Sequence, residues 1–293
     1  MVVKECGFKL HMYADDCQIY LSFTDAGSLT MTRFNECLKN VKIWMDKNAL
    51  KLNAEKTKLK VFSPKNQISN FNLSFENAVI EPSDTVDILG VKLGQNINYT
   101  SFISKKVQVI SFHLRNLQHV KESLNVHTKT LLIKNLVLSN LDYCNSLLVC
   151  ATDKDLKPLK MLLNRAVRFI CNVPWRGHIT PFLQKLHILP IRHRIRFKIC
   201  LLAFRIINNQ APIYLKEKFE TFYPTTSINL RVGFGRDELM FKPLPTSTRK
   251  DTIFDKFTKE WNLLPFHIRT SNSVAIFKKK LKTFLFRDAF LIS

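Results

Sequence analysis

The chain has 293 residues, room for two or three domains of about 100–200 residues each. Its 46% hydrophobic and 23% charged composition is that of a folded chain. Seven glycines exclude collagen-like, propeller and glycine-linker architectures, and 45 Lys+Arg against 23 Asp+Glu (net +22) excludes an acidic protein.

Residues 7–23 alternate apolar and polar side chains on both sides of Asp15-Asp16, which predicts a β-hairpin with two carboxylates at its tip. Residues 28–47 change to helical spacing, with Phe34, Leu38, Val41 and Met45 as an apolar stripe flanked by Cys37 and Trp44, and with Asn48 as a stop. Lys51 to Ser63 reads as extended and 64–72 as a loop. Short strands are expected near 73–80 and 86–93, interrupted by Pro82 and Gly90. Helices are predicted over 101–121, 125–149, 154–172, 179–186, 191–208 and 273–286, while 220–250, with Gly233-Phe234-Gly235, reads as irregular.

The excess positive charge is unevenly placed. Residues 1–150 carry 18 basic and 13 acidic side chains, and residues 151–293 carry 27 and 10. A basic field of that size attracts polyanions, of which nucleic acid is the commonest in cells. A solubilising surface, or contact with an acidic segment, would use the same charge. On 191–202, Ile191, Ile195, Ile199 and Leu202 share one sector, whereas Arg192/Arg196 and Arg194/Lys198 form two basic rails. These suit either phosphate contacts or a buried helix whose arginines reach solvent. Arg176 beside Trp175 fits stacking on a base or ordinary packing.

The seven cysteines have no C-x-x-C spacing, and those among Leu, Ile and Val read as small apolar residues. His178, His187 and His193 are spaced for packing rather than for a metal. No stretch reaches the roughly 18 uncharged apolar residues that span a bilayer. The opening Met1-Val2-Val3-Lys4-Glu5-Cys6 has no apolar signal core. The expectation is an intracellular protein, nuclear or cytoplasmic, not secreted, with no membrane partner and no small-molecule cofactor.

Adjacent carboxylates at a hairpin tip repel one another, and a divalent cation relieves the conflict. Mg²⁺ accepts one or two carboxylates together with substrate phosphates. A polar turn is the plain alternative, and the surrounding motifs decide between them. Tyr13-Ala14-Asp15-Asp16 is followed by Trp44-Met45, Asn48, Leu50-Lys51-Leu52-Asn53 and Lys56-Thr57, then by Ile88-Leu89-Gly90-Val91 and Leu141-Asp142-Tyr143-Cys144-Asn145-Ser146. Asn164-Arg165-Ala166, His178-Ile179-Thr180-Pro181, Leu186-His187, Leu189-Pro190, Trp261-Asn262, Leu264-Pro265 and Phe277-Lys278 complete the series.

This ordered set resembles the reverse transcriptase of non-LTR, LINE-type retrotransposons of the jockey-like group. The resemblance implies an α+β fold with a partial palm over 1–98 (the Asp-Asp hairpin, a helix and short strands). Thumb-like helices over 99–150 and a basic, mostly helical region over 151–293 would follow. It implies that Asp15 and Asp16 ligate Mg²⁺, that Tyr13 lies beside the primer end, and that Lys56 lies near the nucleotide phosphates. Leu89-Gly90 would form the primer-grip turn, and an RNA template and DNA primer would be the partners. Arg192, Arg194, Arg196 and Lys198 are the candidate nucleic-acid contacts read from the helical wheel. In that family the fingers and a further catalytic aspartate precede the hairpin. Here twelve residues precede Tyr13, with no Asp and with Glu5 as their one acid. The expectation is therefore a truncated reverse transcriptase without chemistry of its own. The alternative is a nucleic-acid-binding remnant, or an RNA/DNA-binding protein retained by a host.

Overall fold

The computed structural model describes residues 2–23, 28–53, 55–62, 71–75, 78–94, 99–222, 238–241 and 253–291. It is an α+β structure of helices with small antiparallel sheets, divided into two compact units, Met1–Ser101 and Phe102–Ser293. Among the described residues no helix is long and apolar enough to cross a membrane.

In the first unit a short helix α1 (Val2–Glu5) leads into β1 (Lys9–Tyr13) and β2 (Asp16–Tyr20), paired antiparallel with Leu10 opposite Ile19 and Tyr13 opposite Asp16. Helix α2 (Ser28–Lys47) follows, over the range its apolar spacing predicts. It is closed by a Schellman turn: the Leu50 N–H reaches the Met45 carbonyl at 2.9 Å, with Ala49 in the left-handed region at φ 55°. Phe34 and Leu38 of the expected stripe are buried with Cys37, whereas Trp44 is exposed. Phe8 meets Phe34 edge-on at 4.5 Å, and Phe71 stacks on Phe23 at 5.8 Å, so a small aromatic cluster carries this core. Burial, reinforced by the neighbouring Cys6, pushes the Cys37 thiol up to about 12.

The remaining strands are two hairpins, β3 (Leu73–Phe75) with β4 (Ala78–Ile80) and β5 (Val86–Ile88) with β6 (Val91–Leu93). The extended reading of 51–63 is modified. A turn occupies 55–56, and only Leu59 bridges a neighbour, Pro82, in parallel. Of the expected loop, 64–70 lies outside the described residues.

The second unit is a helical assembly. Helix α3 (Thr100–His119) buries Phe102, Ile103, Ile110, Leu114 and Leu117 along one face. The single helix expected over 125–149 is resolved into parts: α4 (Val126–Leu132), a π turn (Ile133–Leu138), α5 (Ser139–Asp142) and a 3₁₀ turn (Asn145–Cys150). The break falls at Tyr143, which is extended, and Cys144, which is left-handed at φ 48°. Its cause is tertiary. The Lys106 ammonium donates to the carbonyls of Asn140 (2.6 Å) and Tyr143 (2.7 Å), groups that a helix end otherwise leaves without partners.

Helix α6 (Asp153–Cys171) starts with a capping box, Thr152 with Asp155, and ends at left-handed Asn172. After α7 (Thr180–Lys185) comes α8 (Ile191–Ile207), which buries residues on several sides. It packs against α6, the 145–150 turn, α10 (Ile253–Asn262) and α12 (Val274–Phe290). Phe204 of α8 stacks on Phe277 of α12 at 4.2 Å, with Trp261 of α10 at 5.9 Å from Phe277. Short helices α9 (Ile213–Lys216) and α11 (Phe266–Arg269) complete the set.

The irregular reading of 220–250 is corrected in part. β7 (Phe219–Phe222) and β8 (Glu238–Phe241) pair antiparallel, while 223–237, with Gly233-Phe234-Gly235, and 242–250 lie outside the described residues. Helix α10 was not expected from the sequence. Its buried Phe257 and Trp261 are spaced one turn apart, as an amphipathic helix requires.

Candidate functional site

The β1–β2 hairpin places the first candidate. Leu10 and Ile19 form a cross-strand pair packed on the core around Phe8 and Phe34, which fixes which face of each strand looks inward. Beyond that pair the hairpin leaves the core: Met12 and Tyr13 are 56% and 68% exposed, and Ala14, Asp15, Asp16 and Cys17 are exposed too. The chain reverses over two residues, Ala14 and Asp15, because Tyr13 and Asp16 are the last register pair. Ala14 sits at φ 53°, where an alanine costs about 1–2 kcal/mol. Left-handed backbone at a non-glycine residue is a local strain that the flanking ladder must hold.

The sequence pattern thus puts Asp15 in the turn and Asp16 at the head of β2, both open to solvent and, among the described residues, neither in an ion pair. Two carboxylates suit one Mg²⁺ that also takes substrate phosphates. They do not by themselves hold a bridged pair of ions, and among the described residues no three His, Cys, Asp or Glu side chains are grouped to share a metal.

Lys56 lies in the 55–56 turn, its backbone N–H donating to the Asn53 side-chain oxygen at 3.1 Å, with its ammonium exposed. No hydrogen bond or ion pair among the described residues joins it to Asp15 or Asp16. Leu89 and Gly90 form the two-residue turn between Ile88 and Val91, both with positive φ (48° and 78°). That is the backbone of a type I′ hairpin turn, which glycine adopts freely and leucine does not.

The basic rails of α8 are used internally. Arg194 forms a two-point pair with Asp142, Nε donating to Oδ1 at 2.9 Å and Nη2 to Oδ2 at 2.7 Å. Arg192 donates to the Ala151 carbonyl (2.9 Å) and to Asp153 (2.7 Å). Arg196 bridges Glu260 (2.6 Å) and Asp288, and Asp288 also lies 3.2 Å from His193. Burial, with the neighbouring Arg196 cation, holds the His193 imidazole below its ordinary value. The three guanidinium groups therefore pair with carboxylates of the same unit, Arg194 and Arg196 at low exposure and Arg192 at the surface. Lys198 is half-buried on the same helix and joins none of these pairs.

Lys106 is the functional-looking residue that sequence reasoning missed. It is 7% exposed, sits 4.6 Å from the Phe102 ring centroid, and burial lowers its ammonium to about 8 against the opposing pull of Cys144 and Asp142. Its partners lie 34 and 37 residues away, so no local spacing could have announced it. The histidines are not grouped: the His187 ring lies 5.5 Å from Phe286, and His178 is exposed. The cation over Trp175 is Arg168, at 5.3 Å, instead of the adjacent Arg176. A cavity of about 320 Å³ lies between the end of α8, α10 and α11, walled by Asn208, Trp261, Arg269 and Ser271.

Comparison with family models, with curated proteins and with solved structures returns no match for this chain.

Proposed function

We propose that this chain is part of a non-LTR, LINE-type reverse transcriptase of the jockey-like group, with the first unit as palm and the helices after residue 99 as thumb and basic C-terminal region. The observation that supports this best is the hairpin itself. Tyr13, Asp15 and Asp16 occupy a tight tip that projects from its core with both carboxylates open, and Ala14 is held in left-handed backbone to make the turn. Such a tip can offer oxygen ligands to a divalent cation carried by a nucleotide or primer phosphate. In this reading Lys56 offsets charge on the nucleotide phosphates, and the Leu89-Gly90 turn lies along the primer. The partners are an RNA template and a DNA primer.

Among the described residues no further acidic side chain joins these two carboxylates, and two alone do not complete a two-ion centre. The chain by itself is thus expected to bind primer–template without extending it. The experiment is a gel assay of a labelled DNA primer on an RNA template with Mg²⁺ or Mn²⁺, alongside binding at rising salt. Binding that weakens steeply with salt and yields no extension is the expected outcome. Extension abolished by Asp15→Ala/Asp16→Ala would keep the polymerase assignment and overturn the inactivity. Absence of binding at low salt would remove the assignment altogether.

The second reading, a nucleic-acid-binding remnant, is favoured by one specific observation: the 27 to 10 excess of basic over acidic side chains after residue 150. It predicts that binding survives substitution of both tip aspartates.

A further inference from the structure

We infer that the outward face of α6, continued by Trp175, is a track for single-stranded nucleic acid. The inner face of this helix is fully engaged, with Leu156, Leu159, Leu163, Ala166, Val167 and Ile170 buried in the second unit. The opposite face carries Lys154, Lys157, Met161, Arg165 and Arg168. At about 100° per residue these fall within a sector of about 80°. They form one stripe of about 21 Å at 1.5 Å rise per residue. Lys154, Lys157, Met161 and Arg165 are exposed, and Lys160 stands exposed at the edge of the stripe.

What distinguishes this face from an ordinary solvated helix is that, among the described residues, no ion pair caps its cations. The two acids of the helix are occupied at its first turn: Asp153 pairs with Arg192 at 2.7 Å, and Asp155 closes the cap with Thr152 at 2.9 Å. None of Lys154, Lys157, Lys160 or Arg165 is within ion-pair distance of a carboxylate among the described residues. The stripe ends on an aromatic platform. Arg168 donates to the carbonyls of Pro174 (3.3 Å) and Gly177 (3.2 Å), and its guanidinium lies over Trp175 at 5.3 Å, leaving the indole 73% exposed. Arg176 is exposed beside it.

A row of cations leading to a braced, open indole suits a strand whose phosphates follow the helix and whose unpaired base stacks on the ring. A duplex keeps its base faces covered and would leave Trp175 without a role. An anionic membrane fits less well, because binding there needs an apolar helix face to insert, and that of α6 is already buried.

The inference rests on the reading that the chain handles nucleic acid, and the test separates the two. Full-length protein is titrated against a fluorescein-labelled 12-nucleotide oligouridylate, with anisotropy read at several salt concentrations. Lys157→Glu/Arg165→Glu is expected to weaken binding at least tenfold and to flatten the log–log salt slope by about 1.4, as for two lost contacts to a single strand. Trp175→Ala is expected to weaken it about 5- to 150-fold, with Trp175→Phe close to wild type. Lys278→Glu/Lys279→Glu on α12 removes the same charge and is expected to change affinity less than threefold. Equal losses from the α6 and α12 variants would overturn the track in favour of a general basic field. Wild-type affinity in the α6 variants would overturn it while nucleic-acid binding stands. An absence of binding by the wild type would sink both readings. Tight binding to phosphatidylserine vesicles without oligouridylate binding would place a membrane on this face instead.

Discussion

The two tip carboxylates of the first unit and the α8-facing carboxylates of the second are used in opposite ways. In the second unit Asp142, Asp153, Glu260 and Asp288 each meet an arginine of α8, so acid and base together fix how that helix packs. In the first unit Asp15 and Asp16 stand at an exposed turn and form no ion pair among the described residues, on a hairpin whose last core-packed pair is Leu10 and Ile19. The less exposed pairs, Arg194 with Asp142 and Arg196 with Glu260, help specify the fold, whereas unpaired charges beside strained backbone remain available to a ligand. The difference teaches where to look for chemistry: at the tip whose acids the fold does not consume.

The contrast is broken most forcefully at Arg194, whose side chain is 14% exposed. Arg194→Ala removes the two-point partner of the partly buried Asp142 carboxylate, which keeps the Asn145 amide at 3.3 Å, and is expected to cost about 2–3 kcal/mol. Denaturant unfolding followed by circular dichroism measures it, and a loss below about 1 kcal/mol would show that the pair does not organise the unit.

Lys106→Met is expected to cost about 1–3 kcal/mol near neutral pH, because the Asn140 and Tyr143 carbonyls lose their donor. The pH dependence has a defined sign. Burial lowers the folded-state ammonium to about 8 from 10.5, so between those values the unfolded chain binds more protons and the contribution of Lys106 to stability rises with pH. The difference in stability between wild type and Lys106→Met, followed from pH 7 to 10.5, isolates this slope from the cysteines. Cys37 acts the other way: with its thiol raised from 9.0 to about 12, stability falls as pH rises through that window.

Leu89→Asn is expected to stabilise the first unit by about 1 kcal/mol, since asparagine tolerates the left-handed position that leucine is forced to adopt before Gly90. A shift of the thermal midpoint reads it. The smallest effect belongs to the tip. Asp15→Asn/Asp16→Asn is expected to change stability by less than about 0.5 kcal/mol, as for surface side chains without partners.

Local periodicity made much of the fold legible. The hairpin over 9–20, helix α2 over 28–47, and helices α6 and α8 follow from alternation, apolar stripes and caps that act within a few residues. The break at Tyr143-Cys144 was not legible, because it depends on Lys106 from a distant helix. Nor was the role of the α8 arginines. A helical wheel shows that Arg192, Arg194 and Arg196 share edges, but their carboxylate partners lie 39, 52, 64 and 92 residues away. The tip acids were found because they are neighbours in sequence. The stripe on α6 was not read from the sequence, and its meaning comes from Trp175 lying under Arg168.

The central claim is that Asp15 and Asp16 are open ligands for a divalent cation brought with a phosphate. It is tested most directly by the methyl resonance of ¹³C-labelled Ala14 during Mn²⁺ titration in the presence of a nucleoside triphosphate. Selective broadening of Ala14 that disappears in Asp15→Asn/Asp16→Asn is the predicted result. An Ala14 signal that stays sharp while Mn²⁺ broadens residues elsewhere would contradict it.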